Sequence, residues 1–135
     1  MDTIRLMIVD DRKEICREMS TAIELAAASA LVPIKVIATA HDGFEAIEKV
    51  DVCNPDLILM DLEMPRLGGL SAAKRIKTVH PDTIILAFTI HDSPSTYLAI
   101  LQAKMDGLIS KGTSLSIIVE EIRRRCSTEN HSMDN

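Results

Sequence analysis

The sequence predicts a doubly wound α/β domain, a parallel sheet with helices on both faces, and three observations carry that expectation. Five short apolar runs of strand length alternate strictly with segments whose apolar residues recur at helical spacing. That alternation demands crossover connections, which are right-handed and make neighbouring strands parallel. Polar residues stand at the ends of four runs, at Asp10-Asp11, Asp61, Thr89 and Lys111, and in such sheets ligands bind beyond the carboxyl ends of the strands.

The first run, residues 4–9, ends in the two aspartates, and Ile15, Met19, Ala22, Ile23 and Ala26 then follow helical spacing. A second strand spans Lys35 to Ala40. Asp42 caps the helix after it, Glu45 completes a capping-box-like pair, and Ala46, Ile47 and Val50 form its inner face. The third run, Leu57-Ile58-Leu59-Met60, carries no charge until Asp61 and reads as a buried central strand. Met64-Pro65 stops it, since proline cannot donate to a ladder and restricts the residue before it. Leu70, Ala73, Ile76 and Val79 give the next helix its period until His80-Pro81 breaks it. The fourth strand spans Thr83 to Phe88, and Ser93-Pro94 caps a helix that turns Tyr97, Leu98 and Leu101 inward. Gly107 to Ser110 forms the fifth strand. The last helix buries Leu115, Ile118, Val119 and Ile122, with Arg123-Arg124-Arg125 at the negative end of its dipole. The domain is expected over residues 1–126, and residues 127–135 read as a frayed polar tail or the start of a linker.

At 135 residues the chain is one domain's worth of sequence, enough to bury roughly two-thirds of its unfolded surface. A net charge of −5 and a pI near 5.3 argue against binding of nucleic acid or an anionic membrane, which requires a basic surface. Cys16, Cys53 and Cys126 are odd in number and far apart, and read as reduced, mostly buried thiols of a cytoplasmic protein. The N-terminal apolar run is too short for a signal peptide, and nothing approaches the ~20 apolar residues of a membrane span. His41, His80 and His131 lack metal-ligand spacing and read as surface residues.

Three carboxylates brought together repel one another, so their pKa values rise or a cation sits among them. Mg²⁺ suits oxygen ligands of this kind, and Mn²⁺ is the alternative. A carboxylate is also a nucleophile for phosphoryl groups, and such transfer asks the protein mainly for positioning and positive charge. Lys111 supplies charge and Thr89 a hydroxyl. Singly, each residue has a plainer explanation: Asp10-Asp11 a helix cap, Thr89 a turn residue, Lys111 a solvated loop lysine. Their conjunction at successive strand ends favours the chemical one.

The runs Met7-Ile8-Val9-Asp10-Asp11, Leu59-Met60-Asp61-Leu62-Glu63-Met64-Pro65, Phe88-Thr89 and Ser110-Lys111 resemble the signature blocks of bacterial two-component response-regulator receiver domains, in order and spacing over about residues 4–125. The resemblance implies a flavodoxin-like five-stranded sheet of order 2-1-3-4-5. It implies that Asp61 accepts a phosphoryl group from a histidine kinase or phosphotransfer protein, with homodimerisation on activation as a further expectation. It implies side-chain ligation of Mg²⁺ by Asp11 and Asp61, help from Asp10 through water, and a backbone carbonyl ligand from Glu63. Thr89 and Lys111 would hold the phosphoryl oxygens. Such a domain is no enzyme in its own right, catalysing only its own phosphorylation and dephosphorylation.

Four positions depart from the family pattern. Leu108 stands where an aromatic usually swings inward with the threonine, and Ile90 where a small residue is usual, so that its bulk would narrow access for a phosphodonor. Lys104 replaces a glycine, which puts strain on a left-handed cap, and Gly112 replaces a frequent proline. Glu63 and His91 are expected at the mouth of the site, as tuners of dephosphorylation or as solvated rim residues. Three functions fit the sequence: a phosphorylatable receiver, a pseudo-receiver working through protein contacts alone, and a haloacid dehalogenase-like phosphatase. The last wants a second aspartate where the chain has Glu63. The segment around Ser110-Lys111-Gly112-Thr113 looks somewhat like receivers that precede a helix-turn-helix output domain.

Overall fold

A computed structural model describes residues 2–127. Five strands, β1 (Ile4–Val9), β2 (Ile34–Ala40), β3 (Leu57–Met60), β4 (Ile84–Thr89) and β5 (Gly107–Ser110), alternate with five helices, α1 (Lys13–Ser29), α2 (Gly43–Cys53), α3 (Gly69–Val79), α4 (Pro94–Gln102) and α5 (Leu115–Cys126). The sheet order is β2-β1-β3-β4-β5, and every pairing is parallel. This is the predicted doubly wound, flavodoxin-like architecture.

The pleat divides the strand residues between two cores. Leu6, Ile8, Leu57, Leu59, Leu86, Phe88 and Ile109 pack with Cys16, Ile23 and Ala27 of α1 and Ile118, Val119 and Ile122 of α5. Met7, Val9, Ile58, Met60, Ile85 and Ala87 pack with α2, α3 and α4 through Ala46, Val50, Ala72, Ala73, Ile76 and Ile100. Burial on both faces explains why β3 reads as a continuous apolar run.

Helix α4 departs from the expectation. Tyr97, Leu98 and Leu101 are 49%, 57% and 71% exposed, while Ile100 is buried at 3%. An almost wholly apolar segment offers several candidate stripes, and burial favours Ile100 with Ala103, whose small side chain lets the helix approach the sheet. Val79 and Leu115, expected inside, are 68% and 36% exposed. Both stand at helix ends, beyond the turn that faces the sheet. Of the three free cysteines, only Cys16 is fully buried. The frayed tail expected from Ser127 lies, apart from Ser127 itself, outside the described residues; Ser127 is 6% exposed.

Three helices end in left-handed residues that are not glycine: α2 closes on Asn54, φ 47°, and α4 and α1 close on larger side chains. At the end of α4, Lys104 has φ 63°, its N–H donates to the Leu101 carbonyl, and the Met105 N–H donates to that of Ile100, the paired bonds of a Schellman motif. Leu31, φ 60° and 91% exposed, closes α1 the same way through Ala28 and through the Val32 bond to Ala27. The left-handed cap foreseen at Lys104 is therefore present.

Candidate functional site

Strand register builds the site. Val9 of β1 pairs with Met60 of β3, so Asp10 and Asp61 leave adjacent strands at one level. The Asp61 N–H donates to the Val9 carbonyl at 2.9 Å. Across β4 and β5, Thr89 pairs with Ser110, and the Lys111 N–H donates to the Thr89 carbonyl at 2.9 Å. The four predicted strand ends thus converge.

One carboxylate oxygen from each of Asp10, Asp11 and Asp61 lies within 4.8 Å of the others. Asp10 and Asp61 are buried, at 2% and 7% exposed, and Asp11 is exposed. Lys111 Nζ sits 3.0 Å from Asp10 Oδ2 and 3.6 Å from Asp61 Oδ2, and 6.0 Å from the centre of the Phe88 ring. Burial raises the Asp61 pKa above its ordinary value; the Lys111 ammonium opposes that rise, and Asp10 and Asp11 add to it. The Glu63 N–H donates to Asp61 Oδ1 at 3.4 Å. The donor set fits a hard divalent cation: it offers oxygen atoms only, from three carboxylates within one ion's reach.

Asp10 also accepts the Arg12 N–H at 3.0 Å, a local turn ahead of α1; the helix itself starts from Arg12 at its N-cap, with no side-chain cap bond, so the plainer role of Asp10-Asp11 as a helix cap is not the one the fold gives them. Thr89 is buried, and its Oγ1 accepts the His91 N–H at 3.1 Å. His91 Nε2 and Glu63 Oε1 are 2.5 Å apart, the side chains 49% and 73% exposed, and this contact joins the β3–α3 and β4–α4 loops. Ile90 is 72% exposed. Leu108 is half-buried against the core that also holds Met60 and Ala87.

Two contacts were not legible in the sequence. His41 is half-buried behind the site, its Nδ1 3.1 Å from the Asp10 carbonyl and 3.8 Å from Cys16 Sγ, where burial and Asp10 push the thiol up to about 11. Its expected surface position is corrected, because the end of β2 lies against α1; His80 pairs with Asp51, and His131 lies outside the described residues. Arg66, in the β3–α3 loop, pairs with Asp42. These partners are 31 and 24 residues apart in the chain, so no local pattern announces them. Glycine does leave a signal: a Cβ at Gly69 would collide with the Asp61 carbonyl, so the start of α3 packs directly against the site.

The family model for the response regulator receiver domain matches residues 6–123. The response regulator GacA of Pseudomonas viridiflava is 34% identical over 120 residues, which cover 89% of this chain and 54% of that protein. The chain therefore spans about half the length of the curated relatives it matches first. A LuxR-family two-component response regulator from Aurantimonas sp. SI85-9A1 superposes with a TM-score of 0.81 at 28% identity, over 91% of this chain and 84% of that one. The signal receiver domain of NarL from Mycobacterium tuberculosis shares the fold, with a TM-score of 0.83 at 24% identity, over 93% and 98%. The match over nearly the whole chain and the likeness in fold agree: this chain belongs to the response regulator receiver domains of two-component signalling.

Proposed function

We propose that the domain, spanning residues 1–126, is a phosphoacceptor switch in which Asp61 receives a phosphoryl group from a histidine kinase or phosphotransfer protein. The observation that carries this reading is the grouping of Asp10, Asp11 and Asp61 around one point, with the Lys111 ammonium 3.6 Å from Asp61. A carboxylate oxygen of Asp61 attacks phosphorus; the new P–O bond forms as the P–N bond to the donor imidazole breaks, and that nitrogen keeps the electron pair and takes a proton. Asp11 and Asp61 would hold Mg²⁺ or Mn²⁺ through their carboxylates, Asp10 through water and Glu63 through its carbonyl. The ion supplies positive charge for the phosphoryl oxygens. Lys111 supplies a second cation, and the Thr89 hydroxyl a hydrogen bond, both held by the backbone of neighbouring strands. Hydrolysis of the aspartyl-phosphate returns Asp61, so the domain turns over no other substrate. We place it in the cytoplasm, where such donors work. Among the described residues no helix is long and apolar enough to cross a membrane.

Intact mass after incubation with Mg²⁺ and acetyl phosphate tests the reading. The parent gains one phosphoryl group, and Asp61→Asn and omission of Mg²⁺ each prevent it. A parent left unmodified both by acetyl phosphate and by a phosphorylated kinase would overturn the proposal in favour of a pseudo-receiver. Steady release of phosphate from an added ester would favour the phosphatase.

A further inference from the structure

We propose that Arg66 is a positioning residue: its pairing with Asp42 latches the β3–α3 loop to the start of α2 and thereby holds the Glu63 carbonyl in place for the divalent cation. The inference rests on the reading of the acidic cluster given above.

Arg66 has φ 66°, a left-handed conformation in which a side chain's Cβ crowds the following carbonyl. A loop keeps such a residue only where surrounding contacts hold it. Here the guanidinium pairs with the Asp42 carboxylate, while the Arg66 and Asp42 side chains are 73% and 2% exposed. Asp42 Oδ1 meanwhile accepts the Glu45 N–H at 2.9 Å and caps α2. Both carboxylate oxygens are thus engaged, one by the helix it begins and one by the loop.

The next residue repeats the attachment. The Gly43 N–H donates to the Leu67 carbonyl at 2.9 Å, and a Cβ at Gly43 would stand 2.6 Å from that oxygen. At its other end the loop is tied to the site, the Glu63 N–H donating to Asp61 Oδ1 at 3.4 Å and the Gly69 N–H to the Leu62 carbonyl at 3.1 Å. Glu63, Met64 and Pro65 span the distance between the two anchors. Without Arg66 the far anchor loses its ionic half and Asp42 keeps a buried charge unpaired, which favours loop geometries that let water reach it. The Glu63 carbonyl then samples positions away from the carboxylates.

Isothermal titration of Mg²⁺ into the parent, Arg66→Ala, Arg66→Lys, Asp42→Asn and the Arg66→Ala/Asp42→Asn pair tests this, together with amide exchange of Gly43 in metal-free protein. Arg66→Ala and Asp42→Asn each weaken Mg²⁺ binding about 3- to 10-fold, at or below the bottom of the range for residues directly behind a ligand, since the latch acts through a backbone segment. The double variant is no weaker than the singles, Arg66→Lys stays within about twofold of the parent, and Gly43 exchanges faster in Arg66→Ala. Asparagine retains the cap acceptor, so Asp42→Asn reports on the pair even if Arg66→Ala fails to fold. Mg²⁺ affinity unchanged in both single variants, additive losses in the double, or unchanged Gly43 exchange would each overturn the latch. A parent that binds no Mg²⁺ would overturn the reading of the site, and the latch with it, before any variant is made.

Discussion

Asp61 carries a cost to the fold that the proposed phosphoacceptor role would account for. Its pKa is raised by burial, so the folded state holds the proton more tightly than the unfolded chain and the ionised form destabilises the fold. That destabilisation is absent at low pH, grows as pH rises from the unfolded pKa through the raised folded one, and is complete above the folded pKa. Asp61→Asn is therefore expected to melt higher than the parent at pH 7 without Mg²⁺, with the gap closing as the carboxylate is protonated. Melting curves across pH check this, and a gap that widens on acidification would contradict it. At the rim, Glu63 and His91 meet at 2.5 Å, and on the proposed function this pair would shape how water reaches a phosphoryl group on Asp61. Glu63→Ala and His91→Ala are expected to change the lifetime of the aspartyl-phosphate, read from the decay of the phosphorylated mass; lifetimes equal to the parent's would leave both as rim residues only. Because these side chains are 73% and 49% exposed, little change in stability should accompany the effect.

The helix ends store strain that single substitutions can release. Lys104 and Leu31 hold left-handed conformations at Schellman caps, where glycine carries no Cβ penalty. Lys104→Gly and Leu31→Gly should each stabilise the domain by about 0.5–1 kcal/mol, the gain in the cap being partly offset by a freer unfolded chain. Urea midpoints should rise at unchanged m-value. Lys104 was legible as a strained cap because glycine is the usual residue there, whereas Leu31 has the look of an ordinary apolar residue. α4 shows the limit of periodicity. With Tyr97, Leu98, Ile100 and Leu101 all apolar, its buried side was decided by which stripe met the sheet.

Across the whole molecule, the proposed chemistry and the ties between layers occupy opposite ends of the sheet. The C-terminal strand ends hold the acidic cluster, while the N-terminal ends hold ties between layers. Asp106 Oδ2 accepts the Ile85 N–H at 2.8 Å and pairs with Lys77 at 2.7 Å, and the Asp106 carbonyl accepts from Arg125 at 2.7 Å. Arg5 donates to the Cys53 and Asn54 carbonyls, both at 2.6 Å, and so satisfies the end of α2. Asp106→Ala leaves Lys77, 11% exposed, without this partner and should cost about 1–3 kcal/mol. Phosphorylation per folded molecule should stay at the parent's rate. A large loss of rate in the folded variant would show that the two ends are coupled.

The sequence by itself determined the strand and helix order, the doubly wound class and the four polar strand ends, because a buried parallel strand must be apolar throughout and the first polar residue after it marks its exit. Tertiary structure alone decided the outward face of α4, the half-burial of His41 behind Asp10, and the pairing of Arg66 with Asp42. Each of these depends on which surfaces meet when crossover helices fold back on the sheet, and chain-distant contacts of that kind leave no period in the sequence.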